Sequence, residues 1–210
     1  MLIDDFIKEH NIDFIQTCCD ISNVKLINTL ERHSFEFADV KITNTINLED
    51  FHFSDEPAEL ATHVDINELK EMSATLFSDS RYYHEKFNKE KVNEFFQIWV
   101  EKAVLGQYDD YCIKVQNGGT IAGYITTKLL GEAKARIGLI AVKPQAQNLG
   151  IGTKLIKSLF KFLYEKEIRV VSVVTQGKNI SAQNFYLKRG FLINKLEHWY
   201  YKFLFPIMKQ

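Results

Sequence analysis

The clearest rhythm in this chain is helical: Ile151, Leu155, Ile156, Leu159, Phe160 and Leu163 fall on one face of a 3.6-residue repeat. A largely apolar run of strand length at 135–142 precedes it. A β-branched run at 168–175 follows and reads as a strand buried on both faces. Residues 111–115 and 121–128 have strand character and are joined by Asn117, Gly118 and Gly119, a hairpin turn. Two helices are predicted ahead of that hairpin. In the first, Asp65 caps with Glu68 in the reciprocal position, and Ile66, Leu69, Met72 and Leu76 share a face. The second, at 89–105, buries Val92, Phe95, Phe96, Trp99 and Ala103. A short helix over 179–189 stops at Gly190, a residue suited to a left-handed cap, and an aromatic, strand-like tail covers 191–205.

This order predicts an α/β (α+β) arrangement, a mixed central sheet with flanking helices, parallel around 135–142. Polar and acidic residues at Ser54, Asp55, Glu56 and Pro57 divide the chain into 1–57 and 62–210. The shorter part echoes the end of the longer one. Asn23, Asn28 and Ser34-Phe35 repeat the spacing of Asn179, Asn184 and Gly190-Phe191, with Leu30 where Tyr186 stands. We read 1–57 as a truncated half-domain of related architecture that packs beside the larger one and helps shape its acceptor pocket; chance similarity is the alternative.

With 210 residues, 46% of them hydrophobic, the chain has enough apolar surface for one large or two small cores. No stretch is long and apolar enough to span a membrane, and the acidic start from Met1 to Asp5 does not read as a secretory signal. Cys18, Cys19 and Cys112 lack zinc-site spacing, so reduced thiols in the cytoplasm are expected. A net charge of −1 gives no reason to expect nucleic acid, but the distribution is uneven. Residues 141–210 hold 12 Lys/Arg against 3 Asp/Glu, while 1–140 hold 14 against 24. A basic half suits a polyanionic ligand such as CoA or a nucleotide sugar; Lys154, Lys157 and Lys161 equally suit a solvated helix face.

That basic half contains Gln147-Asn148-Leu149-Gly150-Ile151-Gly152, between the apolar strand and the periodic helix. A glycine-containing turn that opens a helix presents unpartnered amides and the positive end of the helix dipole, which together favour phosphate. A P-loop needs Lys and then Ser or Thr after its last glycine, and Thr153-Lys154 stands there instead. A dinucleotide fingerprint needs glycine at 155 and an acid about 20 residues on; Leu155 and the strand around Ser172 and Val173 fail both. What remains is Gln-x-x-Gly-x-Gly. Taken alone, the hexapeptide also fits a strand–turn–helix corner whose glycines serve only packing.

With Asn179, Ala182, Tyr186, Gly190 and Phe191 downstream, the chain resembles the GNAT superfamily of N-acetyltransferases. The resemblance implies a GNAT fold, acetyl-CoA as cosubstrate and no metal. By it, the main chain of Gln147, Asn148, Leu149, Gly150, Ile151, Gly152 and Thr153 holds the pyrophosphate. Ile140, Ala141 and Val142 meet the pantetheine where their strand splays from its neighbour. The Val142 amide, give or take a residue, faces the thioester oxygen, a contact worth roughly 3 kcal/mol to a developing oxyanion. Asn179 hydrogen-bonds the pantetheine, or serves only as a helix cap. Tyr186 gives its proton to the departing thiolate, since a phenol with pKa about 10 is protonated at neutral pH and the thiol sits near 8.5. Packing beside Phe185 is the alternative. No acid or histidine occupies 135–142, where many GNAT enzymes carry a glutamate. Deprotonation through water, or an amine that loses its proton unaided, fits that gap, with His84, Asp79 and His198 as outlying candidates.

Over nearly the whole chain there is a further similarity to the dTDP-fucosamine N-acetyltransferases. It rests on 1–57, Phe77-Ser78-Asp79-Ser80-Arg81, Phe95 with 99–106, Arg136-Ile137-Gly138-Leu139, Val174-Thr175-Gln176 with Asn179, and Trp199-Tyr200-Tyr201. This implies a dTDP-4-amino-4,6-dideoxyhexose acceptor and a role in bacterial surface polysaccharide. Arg81 then suits the nucleotide diphosphate, or else pairs with Asp79 or Glu85; Tyr82 or Tyr83 can stack on thymine. The rival acceptors are a protein N-terminus or lysine, and the rival class is an acyl-CoA-binding module without turnover. A homodimer is expected if the terminal aromatic strand is an exposed edge.

Overall fold

The computed structural model describes residues 6–7, 9–49, 51, 53 and 57–204, so most of the break at 54–57 and the end of the tail lie outside the described residues. Among them one sheet contains β1 (Phe14–Asp20), β2 (Glu36–Asn47), β3 (Glu59–Leu60), β4 (Tyr111–Asn117), β5 (Thr120–Gly131), β6 (Lys134–Val142), β7 (Val170–Gln176) and β8 (Leu192–Phe203). The order is β1-β8-β2-β7-β6-β5-β4-β3, and only β6 with β7 is parallel. The helices are α1 (Val24–Arg32), α2 (Ile66–Ser73), α3 (Lys89–Val104), α4 (Ile151–Glu165) and α5 (Ile180–Leu187). On one face α4 packs Leu155, Ile156, Leu159, Phe160 and Leu163 over Ile113, Val115, Ile125, Ile137 and Val173. On the other, α2 and α3 pack Leu69, Met72, Val92, Phe96 and Val100 over Cys112, Tyr124, Leu139 and Ala141. Among the described residues no helix is long and apolar enough to cross a membrane.

Several local expectations need correction. The buried stripe of α3 is Val92, Phe96, Val100 and Ala103; Phe95 lies one position round the helix and stays largely exposed against Tyr82. The cap ahead of α2 belongs to Thr62, with Asp65 in the reciprocal position: the Thr62 N–H and hydroxyl donate to one Asp65 oxygen at 2.7 and 3.2 Å. The other Asp65 oxygen takes Lys114 Nζ at 2.7 Å. Glu68 is drawn off to accept from Ile121 N–H at 3.1 Å and Lys143 Nζ at 2.5 Å. Strand β7 is covered on one face only, because Val174 is 37% exposed on a side where its cross-strand neighbours are polar. The terminal strand β8 lies between β1 and β2, so it presents no free edge for a dimer.

The N-terminal strands are inside this sheet and not beside it. Strand β2 is hydrogen-bonded to β7 on one side and to β8 on the other. The run β1-β8-β2-β7 reads the same when β1–α1–β2 is exchanged for β7–α5–β8. Local geometry repeats too. Asn23 (φ −84°, ψ 67°) caps α1 through Leu26 N–H, and Asn179 (φ −85°, ψ 70°) caps α5 through Ala182 N–H. Ser34 (φ 61°) and Gly190 (φ 87°) both take left-handed backbone just before the returning strand.

Burial opposes the charge on Asp65, but hydrogen bonds from Lys114 and Thr62 outweigh it and hold the carboxyl below its ordinary range. Such a group stabilises the fold above its unfolded value of about 3.9 and loses that contribution as pH falls through the folded value. Asp65→Asn is therefore expected to lose about 1–3 kcal/mol at pH 7. In urea titrations the gap from wild type should close below about pH 4.

Candidate active site

Parallel pairing of β6 with β7 runs from Lys134↔Val170 to Ile137↔Val173 and ends there, although both strands continue. The cause lies on the other side of β6. Gly138 and Leu139 together face the single residue Thr126 of β5, a bulge that turns the rest of β6 off its parallel neighbour. Leu139 N–H donates to Thr126 Oγ1 and Lys143 N–H to the Ala122 carbonyl, both at 2.8 Å and both toward β5. Strand alternation then turns Ala141 toward β5 and aims the N–H groups of Ile140 and Val142 into the gap between β6 and β7.

The turn that follows is held to its strand by Gln147, whose side-chain amide donates to the Val142 carbonyl at 3.4 Å. Asn148 (φ 62°) and Gly150 (φ 80°) take left-handed backbone, and α4 begins at Ile151 without a side-chain cap. Its first bond is Lys154 N–H to the Gly150 carbonyl at 2.9 Å. The amides of Ile151, Gly152 and Thr153 therefore have no intrahelical partner, at the positive end of a 15-residue helix. Gln147, Asn148, Leu149 and Gly150 are exposed. The two glycines have different causes. Gly150 is required by its positive φ, whereas a Cβ on Gly152 would lie 2.8 Å from Phe185 Cε2, so Gly152 lets α5 close on α4.

Tyr186 points from α5 into the α4 core, 4% exposed, with ring centroids 5.3 Å from Phe185 and 5.4 Å from Phe191. Burial pushes its phenol well above the ordinary value, with the Arg189 cation pulling the other way, so it is protonated at any ordinary pH. Arg189 lies on the Phe185 ring at 3.5 Å and donates to the Phe185 carbonyl (2.7 Å) and Thr153 Oγ1 (2.5 Å), joining α5 to the first turn of α4. Asn179 uses its side-chain oxygen to cap α5 through Ala182 N–H at 2.9 Å, which leaves its NH2 for a ligand.

Arg81, between α2 and α3, is 8% exposed, its guanidinium 4.0 Å from the Trp199 ring and 4.2 Å from the Tyr82 ring. It donates to Gln16 Oε1 (2.8 Å), the Tyr201 hydroxyl (2.5 Å) and the Tyr82 hydroxyl (2.8 Å). Each of these partners is neutral, and among the described residues neither Asp79 nor Glu85 pairs with it. Aromatic faces and dipoles hold the charge instead. Tyr82 shares this place; Tyr83 does not. Its ring stacks on Phe96, and its hydroxyl lies 2.5 Å from the Asn93 side-chain amide. The same face of the neighbouring strands carries Glu197, which pairs with Lys41 and Lys195 at 2.8 Å each.

The outlying base candidates do not converge. Asp79 is exposed, His198 packs edge-on to Phe37, and His84 stacks on Phe203, where burial and then Lys86 push its pKa down. Besides Glu197, two buried carboxylates, each with an unpartnered oxygen, escaped the sequence reading. Asp39 accepts from Val40 N–H (2.7 Å) with one oxygen and has no partner for the other. Asp109, 0% exposed, takes Trp99 Nε1–H (2.9 Å) and the Thr126 hydroxyl (2.6 Å) on Oδ2 and nothing on Oδ1. Neither occupies a motif or a periodic position. Among the described residues no group of three or more His, Cys, Asp and Glu is placed to hold a metal.

A strand pair that parts before an uncapped helix N-terminus is a frame suited to acyl transfer from a CoA thioester. The chain belongs to the acetyltransferase (GNAT) family, whose pattern matches residues 71–191, and its sheet and flanking helices are the GNAT fold. It is 28% identical over 149 residues to dTDP-fucosamine acetyltransferase of Escherichia coli O6:H1, covering 70% of this chain and 64% of that protein. It is 27% identical over 138 residues to spore coat polysaccharide biosynthesis protein SpsD of Bacillus subtilis, covering 65% and 47%. The matches thus span about half to two thirds of the length of these relatives. The PaiA N-acetyltransferase from Thermoplasma acidophilum, solved in complex with coenzyme A, shares the fold at TM-score 0.56 and 17% identity, covering 70% of this chain and 97% of that one.

The two glycines of the turn are separable by experiment. Gly150→Ala is expected to lose about 1–2 kcal/mol from left-handed strain. Gly152→Ala should lose about 1–3 kcal/mol by overpacking against Phe185, and should weaken acetyl-CoA binding as α5 moves off α4. Urea unfolding with calorimetric titration of acetyl-CoA measures both.

Proposed function

We propose that this protein transfers the acetyl group of acetyl-CoA to the amine of a dTDP-4-amino-4,6-dideoxyhexose, in the cytoplasm, for bacterial surface polysaccharide. The observation that carries the transferase reading is the parting of β6 from β7, with the Ile140 and Val142 amides facing the gap. Pantetheine adds there as a short strand, the pyrophosphate rests on the turn at 147–153, and the thioester oxygen accepts from Val142 or its neighbour Ile140. Asn179 offers its NH2 to the pantetheine. Tyr186, held protonated by burial, gives its proton to the departing thiolate.

The acceptor class is supported by the name of the Escherichia coli relative and by the surroundings of Arg81. Gln16, Tyr201 and Tyr82 take three of the five N–H donors of that guanidinium, which leaves two for a diphosphate oxygen. Tyr82 flanks it as a surface for the base, with Tyr83 bracing from behind. Residues 1–57 act as a truncated half-domain that lends β2 to the catalytic unit at 62–210 and carries Gln16 to Arg81.

Labelled acetyl-CoA offered with a panel of dTDP-aminosugars, and with peptides and free lysine as controls, tests the reading. Label is expected in the aminosugar; label in peptide alone would overturn the acceptor assignment. Tyr186→Phe is expected to lower kcat by about 10²–10⁴-fold with acetyl-CoA affinity little changed. Full activity in that variant removes the tyrosine from the reaction.

A further inference from the structure

Asp109 lies against the point where β6 leaves β7. Gly138 is the first residue of β6 beyond its last pair with β7, at the apex of the gap. A Cβ at that position would lie 2.1 Å from Asp109 Oδ2 and 2.7 Å from Thr126 Oγ1. The carboxylate therefore fills the space that a side chain on residue 138 would take. We infer that Asp109, entering from the loop before β4, accepts the proton of the acceptor ammonium through the Thr126 hydroxyl. This rests on the transferase reading above.

The surroundings suit that task. Trp99 Nε1–H and the Thr126 hydroxyl both fix Oδ2, and Thr126 Oγ1 in turn accepts the Leu139 N–H that makes the bulge. Oδ1 is buried with no hydrogen-bond partner. A residue needed only to anchor Trp99 and Thr126 would do so as asparagine, without a buried charge. The titratable groups around it are few. Cys112 on β4 faces it, a thiol that burial and then Asp109 push upward. Tyr108 and Asp110 flank it; Lys128 on β5 is turned to the Tyr108 carbonyl, and the Asp110 carboxylate to Leu129 N–H. Among the described residues no Lys, Arg or His pairs with Asp109. The other buried carboxylate with an unpartnered oxygen, Asp39, lies past the end of β7, where its Oδ1 is 3.6 Å from the Cβ position of Gly177. Asp39 belongs to β2, on the side of β7 away from β6.

The protons balance as follows. The bound ammonium gives one proton through Thr126 to Asp109, which returns it by the same route after turnover, both residues being 0% exposed. The neutral amine attacks the thioester carbon, the C–N bond forms, and the C–S bond breaks. Tyr186 protonates the leaving thiolate and recovers its proton as the nitrogen of the collapsing intermediate loses its second one. The products are the acetamide, CoA thiol and one proton.

The test compares wild type, Asp109→Asn, Thr126→Val and Asp39→Asn in acetyl transfer to the aminosugar across pH, with calorimetric acetyl-CoA affinity alongside. Asp109→Asn is expected to lower kcat at pH 7 by about 10²–10³-fold with acetyl-CoA affinity within about twofold. The deficit should shrink as pH approaches the pKa of the amine itself, where no base is needed. If Asp109→Asn fails to bind acetyl-CoA, Thr126→Val carries the test, with the same pH-rescued deficit expected. A deficit that does not change with pH, activity within about threefold of wild type, or a pH-rescued deficit in Asp39→Asn alone overturns the inference. Wild-type protein that acetylates no amine in the panel overturns the transferase reading itself.

Discussion

A hydrogen-bond ladder that stops is what the rest of the molecule is arranged around. Past Ile137 and Val173 two adjacent strands run on without pairing, and unpaired backbone in a sheet is unfavourable unless something else completes it. The break is stable because each strand is secured on its far side. Strand β6 stays paired with β5 out to Val142, and β7 stays paired with β2 out to Gln176. Gly177 N–H adds a bond to the Val40 carbonyl at 2.7 Å, beyond the last residue of β7. Both walls of the gap are thus held, and a strand added between them would meet amides already in place. Preorganisation of this kind is where a donor gains most of its value to a developing charge.

The N-terminal segment is part of that frame. Without β2, strand β7 would have neighbours only over its first half, and the gap would have one firm wall. The exchange is mutual in form: β2 lies between β7 and β8, and β8 lies between β1 and β2. Arg81 ties the same assembly together from above, linking Gln16 of β1 and Tyr201 of β8 to the α2–α3 connection. A guanidinium between two aromatic faces, with hydroxyl and amide partners, shares its face with Lys41, Lys195 and the Glu197 carboxylate that pairs with both.

What could be read from the chain was whatever depends on neighbours in sequence. The α4 stripe, the Asn117–Gly119 hairpin and the spacing from the glycine turn to Tyr186 are local patterns, and the folded elements follow them. The echo between Asn23 and Asn179 was legible because capping is local as well. Strand order was not. That β2 would enter between β7 and β8 depends on pairings between residues more than a hundred positions apart, which no periodicity reports. Arg81 shows the same limit in chemistry. Its sequence neighbours Asp79 and Glu85 were the natural partners to consider, yet apart from the adjacent Tyr82 the groups that reach it come from Gln16, Trp199 and Tyr201.

Glycines left one signal that sequence reasoning underused. Gly150 and Gly190 fit the usual expectation, since each carries positive φ at a turn or helix end. Gly138 and Gly152 do not: neither is left-handed, and each would place a Cβ under 3 Å from another side chain. A glycine inside a strand or helix interior weakens that element, so its presence there implies that something must approach closely. For Gly152 the approaching group is Phe185, which belongs to the second motif, beside Tyr186, and was within reach of inference. For Gly138 it is Asp109, from a loop 29 positions upstream with no pattern of its own. The strand that lacks an acid in its own sequence therefore carries, in that glycine, the space for an acid from elsewhere.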